Sequence, residues 1–252
     1  LDKHCIKCHD YDKRRGGAIL AGDYSGIYSH AYVTLMSRPG LVSHGRDADG
    51  NIAPGKIGSS ASRLMKKIDG SHHNVKLSET ERKFVRLWIE SGAPYAGTYA
   101  ALGTGMVAPP IENDVWKRRC VSCHKKPDKV QAELFYNFSR PAKSLVLLSP
   151  LAKDAGGYGQ CKTKDGHPIF ADTEDDDYRK LLRIVQASKR QLDARKRFDM
   201  KDFRPGPHYV REMKRYGILE EDLPEDAEID VYATDREYWK SLWYKPVVSK
   251  GH

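Results

Sequence analysis

The clearest pattern of apolar and polar positions in this chain is helical. Phe84, Val85, Leu87, Trp88 and Ile89 recur at helical spacing behind Ser78-Glu-Thr-Glu81, which reads as a capping box. Gly92 and Pro94 supply the stop. A shorter helix is expected from Ser62 to Ile68, burying Leu64, Met65 and Ile68. The stretch 16–59 ahead of it is rich in glycine and turn residues and reads as loops. Glu112 to Lys125 is also expected to be helical. The acidic run Glu174 to Asp177 opens a long helix to about Phe198, with Leu181, Leu182, Ile184, Val185 and Leu192 inside. Its acidic start and basic end suit the helix dipole. Pro207 begins another helix that Gly217 ends. Thr234-Asp-Arg-Glu237 reads as a second capping box, opening a helix with Trp239, Leu242 and Trp243. The fold class implied is mainly α, with long loops.

Length and composition narrow the class. The 252 residues make one large or two small domains. Hydrophobic residues at 39% and charged residues at 31% suit a polar globular chain and exclude a collagen-like or mostly disordered one. The longest apolar stretch, Ser144 to Ala152, is broken by Pro150 and falls short of the ~20 residues a membrane helix needs, so no transmembrane segment is expected. Leu1 lies four residues before the first cysteine, which reads as a processed or cut chain without a secretory signal. Lys and Arg number 43 against 34 Asp and Glu, a net +9. Acidic runs interrupt that excess, and the densest basic stretch, Arg179 to Arg204, reads as a solvated helix face with a basic tail. No nucleic-acid role is expected.

The cysteines carry the chemistry. Cys5-Ile-Lys-Cys8-His9 and Cys120-Val-Ser-Cys123-His124 are two complete C-x-x-C-H sequences, the attachment signature of c-type haem. Two cysteines three positions apart lie near one face of a helical turn, where both sulfurs reach one porphyrin. The adjacent histidine then offers its imidazole to the iron. A Cys₄ zinc site built from Cys5, Cys8, Cys120 and Cys123 would need a far longer loop than zinc ribbons use, and a redox C-x-x-C leaves the histidines unexplained. Two covalently bound haem c groups are therefore expected, with His9 and His124 as proximal iron ligands. Cys161 is left over and reads as a small buried thiol. Haem attachment of this kind takes place outside the bacterial cytoplasmic membrane, so a periplasmic, extracellular or equivalent compartment follows. Haem propionates would remove about four of the positive charges, leaving a modest field.

The motifs divide the chain. Gly103 to Pro110 reads as a linker, giving two tandem haem domains, residues 1–110 and 111–252.

The second axial ligands are open to several residues. His208, framed by Pro205 and Pro207, is the candidate for the second haem, with His167 behind it. For the first haem His72 leads, with His44 and His73 as alternatives. Met36 and Met65 could supply a methionine ligand, although Met65 sits at core spacing.

Several segments carry a resemblance: the tandem motifs, Gly70-Ser-His-His-Asn-Val-Lys-Leu77, Trp88 to Pro94, Asn137 to Ser144, Phe203 to Met213 and Asp230 to Asp235. Together they are similar to the C-terminal dihaem region of the hydrazine synthase α subunit and its relatives, over nearly the whole chain. The resemblance implies a bis-histidine second haem, and His208, 84 residues past His124, falls in the matching position. In the hydrazine-forming enzyme a tyrosine four residues after the first motif histidine binds iron. Here that place holds Lys13, with Tyr11 nearby, which favours an ordinary His9-ligated haem. The reading is a dihaem cytochrome c that transfers single electrons as a module of a larger redox assembly. Its partners would be a redox protein or further haem subunits, in an oligomer or larger complex. The alternative is a haem enzyme of nitrogen-compound redox chemistry with an open site at the first haem. A third reading is a structural module in which stacked haems link subunits.

Overall fold

A short turn of helix, α1 (Ile6–His9), begins the chain, with the N–H groups of Cys8 and His9 both donating to the Cys5 carbonyl. The structure, a computed structural model, describes residues 1–46, 50–102, 104–111, 113–124 and 129–243, with the backbone alone for 129–131. It is mainly helical, and strand pairing among the described residues is confined to isolated bridges. No helix among them is long and apolar enough to cross a membrane.

The first departure from the sequence reading is α2 (His30–Ser37), which interrupts a stretch expected to be loops. Ser29 caps it by accepting from the Tyr32 N–H, and His30, Ala31, Val33, Thr34 and Leu35 are all buried. A helix buried over most of its surface carries no polar stripe, so it gives little periodic signal. Next come α3 (Arg63–Lys67), which buries Leu64, and α4 (Glu79–Glu90), whose capping box forms. There the Glu81 N–H donates to Ser78 Oγ at 3.2 Å and the Ser78 N–H to the Glu81 carboxylate at 2.9 Å. Ile89 is buried, and Val85 and Trp88 pack with Leu20, Leu35, Val42, Leu64 and Ile68. Phe84 (69% exposed) and Leu87 (50%) instead face outward, to one side of that stripe.

In the second half α5 (Asp114–Arg119) is shorter than expected. Asn113 caps it, and it ends at Cys120, so Cys123 and His124 follow in a turn. The expected ends of this helix, Glu112 and Lys125, lie outside the described residues. Two unforeseen helices follow, α6 (Lys129–Phe135) and the wholly buried α7 (Leu145–Leu148). Then α8 (Asp176–Arg195) buries Leu181, Val185 and Leu192 and leaves Leu182 and Ile184 half-exposed. Pro207 opens α9 (Pro207–Arg215), and Gly217 beyond its end has a φ of 66° that suits glycine. In α10 (Val231–Ser241) the cap is Asp230, which accepts from the N–H groups of Tyr232 and Ala233, both at 3.0 Å. Thr234 is therefore inside the helix, its hydroxyl donating to the Asp230 carbonyl, and the expected second capping box does not form. With the cap at Asp230 the helix starts four residues earlier, so the N–H groups a Thr234 cap would meet lie inside the helix. Trp239, Leu242 and Trp243 are exposed.

Contacts divide the chain into two units, Leu1–Tyr95 with Val107–Asp193, and Ala96–Met106 with Ala194–His252. Both C-x-x-C-H segments belong to the first unit, so the division follows another line than one at 110/111. Gly103, at the head of the expected linker, is outside the described residues, and Val107 is buried with its N–H on the Gly26 carbonyl. Polar bonds knit the two motif halves together. The buried Glu133 carboxylate accepts from Ser25 Oγ and from the N–H groups of Ile27 (2.9 Å) and Tyr28 (3.1 Å). Asp23 accepts from Arg140 Nε at 2.8 Å and from Asn137 at 2.5 Å.

At the centre lies His30, fully buried. Its Nε2 is 3.0 Å from the Tyr136 carbonyl, an acceptor, so Nε2 carries the proton. Nδ1 is then the acceptor for the Tyr11 hydroxyl, at 2.5 Å. Tyr11 itself packs with Ile19, Ala21, Leu145 and Leu148.

Burial pushes the His30 pKa down to about 4, against the opposing pull of the Tyr136 carbonyl. The unfolded chain takes up a proton near pH 6.5 that the folded chain refuses. Stability should therefore be level above about pH 6.5 and fall as pH drops from there towards 4. Urea denaturation across that range should show the slope in the natural protein and its loss in His30→Gln. A slope that persists in the variant would assign it to other groups. His30→Ala, which strands the Tyr11 hydroxyl and opens a void, should cost about 2–4 kcal/mol.

Candidate functional site

Each C-x-x-C-H segment lines its own cavity. Cys5 caps the N-terminus of α1, which places Cys5, Cys8 and His9 on the wall of a cavity of about 400 Å³. Much of the lining is aliphatic, including Leu20, Leu35, Leu41, Leu64, Ile68 and Val75. Arg15, Arg38, Arg63 and Lys67 add a basic side. His72 and His73 also line it, presented by the loop between α3 and α4, where His73 takes a left-handed φ of 50°.

The rings of His9 and His72 lie 6.0 Å apart between centroids and 16° from parallel. Two imidazoles that share one metal ion with their nitrogens turned towards each other need two bonds of about 2 Å plus the reach from each nitrogen to its ring centre, roughly this separation. His9 Nδ1 is buried with no hydrogen-bond partner among the described residues. Burial, then the charges of Lys67, His73 and His9, lower the His72 pKa, and Lys67 Nζ lies 3.5 Å from His72 Nδ1, which leaves Nε2 as the nitrogen with no hydrogen-bond partner among the described residues. His73 stacks edge-on against His72 at 4.7 Å.

The other first-cavity candidates go elsewhere. His44 lines neither cavity, and its Nδ1 accepts from the Arg46 N–H at 3.0 Å. Met36 and Met65 pack against the core cluster rather than lining the cavity. Lys13 donates to the Lys7 carbonyl at 2.9 Å, and the Tyr11 phenol is turned into the core against His30, with burial raising its pKa strongly. His4, on the rim, bonds the Glu81 carboxylate at 3.0 Å.

The second cavity, of about 490 Å³, is lined by Cys120, Cys123 and His124 with Trp116, Phe135, Leu145, Val146, Pro150 and Ile169. Asn113 starts α5 so that Trp116 comes beside His124, with ring centroids 6.2 Å apart. Burial, and then the neighbouring Cys161, push the Cys120 thiol up to about 11. Cys161 is half-exposed on the same wall, not a buried core thiol as its sequence context suggests. Its loop is pinned by the N–H groups of Gln160 and Cys161, both donating to the Ser149 carbonyl.

Three buried nitrogens on this wall want an acceptor. Arg14 Nε and Trp116 Nε1 have no hydrogen-bond partner among the described residues, and Arg119 Nε has only a long 3.5 Å contact with Asp177. Stranded buried donors are costly, so this cavity suits a group that brings acceptor oxygens. No second histidine lines it. His167 is exposed in a turn closed by Thr163, and His208 is exposed in the first turn of α9, in the second unit.

Thus the residues fit a group with a large apolar body, acidic edges, two sulfur anchors and a metal that takes imidazole. No three His, Cys, Asp or Glu side chains among the described residues form a bare metal-ion site, and the two cysteine pairs open on separate cavities. Sequence reasoning did not single out Arg14, Arg15 or Trp116; a basic pair just past a motif and an aromatic just ahead of one were the available signals. Compared with protein families, curated proteins and solved structures, the chain matches none.

Because the thiol pairs lie apart, the reduced, cofactor-free chain should bind Zn²⁺ no more tightly than its Cys120→Ser/Cys123→Ser variant. A tight site lost in that variant, read by competition with a chromophoric chelator, would mean that the four thiols converge.

Proposed function

We propose that this chain is a dihaem c-type cytochrome that passes single electrons, as a module of a larger redox assembly outside the cytoplasmic membrane. The observation that carries the reading is the near-parallel pair His9 and His72 on the wall of a cavity, rich in aliphatic side chains, that Cys5 and Cys8 also line. Cys5 and Cys8 would anchor one haem, Cys120 and Cys123 the other, each by two thioether bonds. His9 and His72 would hold the first iron and His124 the second. Each bound haem supplies an iron that takes up and releases one electron.

The chain's own residues set how readily that happens. Aliphatic walls would keep water from the first iron and favour its less charged state, and two imidazole ligands would lower its potential relative to a methionine ligand. His72, near-parallel to His9, would serve as a second ligand to that iron and leave no site for a small substrate. That is what favours electron transfer over an enzyme with an open site at the first haem, the activity suggested by similarity to the hydrazine synthase α subunit. The partner is a redox protein or a further haem subunit.

Intact mass should exceed the sequence mass by two haems and keep that excess after denaturation; an unmodified mass sinks the reading. With both haems attached, His72→Ala should turn the first iron high-spin and raise its potential, and His73→Ala should leave it low-spin. A first iron that stays low-spin by absorption and EPR in His72→Ala would remove that histidine from it.

A further inference from the structure

Two consecutive arginines face two different cavities. Arg15 lines the cavity of Cys5, Cys8 and His9, and Arg14 lines that of Cys120, Cys123 and His124. The backbone accounts for the divergence. Arg14 sits in the left-handed region, φ 37° and ψ 42°, and Arg15 starts a tight turn in which Gly16 and Gly17 have φ of 60° and 68°. Side-chain-bearing residues avoid that region, and such strain persists only where surrounding contacts hold it.

Arg14 is held from the second-cavity side. Its Nη1 donates to Gln160 at 3.2 Å, and its guanidinium lies 5.2 Å over the Tyr158 ring, both on the loop that carries Cys161. Tyr158 in turn donates its hydroxyl to the Tyr11 carbonyl, which ties that loop to the first motif. Yet Arg14 Nε is buried with no acceptor among the described residues, like Trp116 Nε1 on the same wall. On the other side, Arg15 joins Arg38, Arg63 and Lys67 around the first cavity. Fixed cations at both cavities, with donors waiting for acceptors at one of them, call for carboxylates.

We propose that Arg14 and Arg15 form a double clamp, Arg15 holding a haem propionate in the first cavity and Arg14 one in the second. The proposal rests on the dihaem reading. It makes one short segment set the charge environment of both irons, through two separable residues. A guanidinium at a propionate offsets its negative charge and so favours the reduced iron; its removal lowers that haem's potential.

The test is a spectroelectrochemical titration of the purified dihaem protein, with each iron assigned by EPR. Arg14→Gln should weaken reduction of the second haem about tenfold, ~59 mV for one electron, and leave the first near its starting value. Arg15→Gln should do the reverse. Arg14→Lys, which keeps the charge but not the planar fork, should recover most of the second haem's potential, which a loss of packing on Tyr158 alone would not allow. A chain carrying no haem overturns the dihaem reading and the clamp with it. Two intact haems whose potentials ignore both glutamine changes, or both shift together with either one, overturn the clamp alone.

Discussion

One fully buried imidazole ties the first unit together. His30 donates from Nε2 to the Tyr136 carbonyl and accepts from the Tyr11 hydroxyl, so it bonds both the segment after the first C-x-x-C-H motif and the segment after the second. Neither bond has water to replace it, and both ring nitrogens are used. The tautomer is set by the carbonyl, which leaves the phenol one role. Tyr11 is thereby committed to the core, and the chain before it is free to present Cys5, Cys8 and His9 to a cavity.

Much of the geometry near the motifs follows from that constraint. Around Tyr11 pack Leu145 and Leu148, with Ile6 from α1 and Phe135 and Tyr158 at the edge. Phe135 and Leu145 are at the same time wall residues of the second cavity. The apolar cluster that supports one motif is therefore part of the lining beside the other. Electron transfer of the kind proposed needs cofactors held at a constant separation, and a shared core provides that more securely than two domains on a linker. The adjacent Arg14 and Arg15 belong to the same economy: the chain leaving Tyr11 meets both cavities within a few residues.

Where the sequence reading and the structure part, competing local contacts explain the outcome. Phe84 and Leu87 have the right spacing for a buried helical face, but the stripe of Val85, Trp88 and Ile89 faces the core and turns them outward. Asp230 caps α10 before Thr234 can. The helix α5 stops at Cys120 rather than carrying the whole motif, and α2 hides among turn residues because it is buried nearly all round. Each is a case in which periodicity alone ranks several arrangements equally and packing selects among them.

The residues proposed to bind haem were legible in the chain itself, because C-x-x-C-H spacing is local: a single turn suffices to bring two sulfurs and an imidazole together. Helix class, the Ser78 capping box and the long α8 were legible for the same reason, each resting on neighbours three or four positions apart. What faces His9 was not. The sequence puts His72 ahead of His44 and His73 without fixing it, and only the loop between α3 and α4 brings the His72 ring near parallel to that of His9. The roles of Tyr11 and His30, the half-exposed place of Cys161 and the opposed facing of Arg14 and Arg15 were likewise decided by tertiary structure. Each depends on contacts between segments far apart in the chain, which local spacing does not encode.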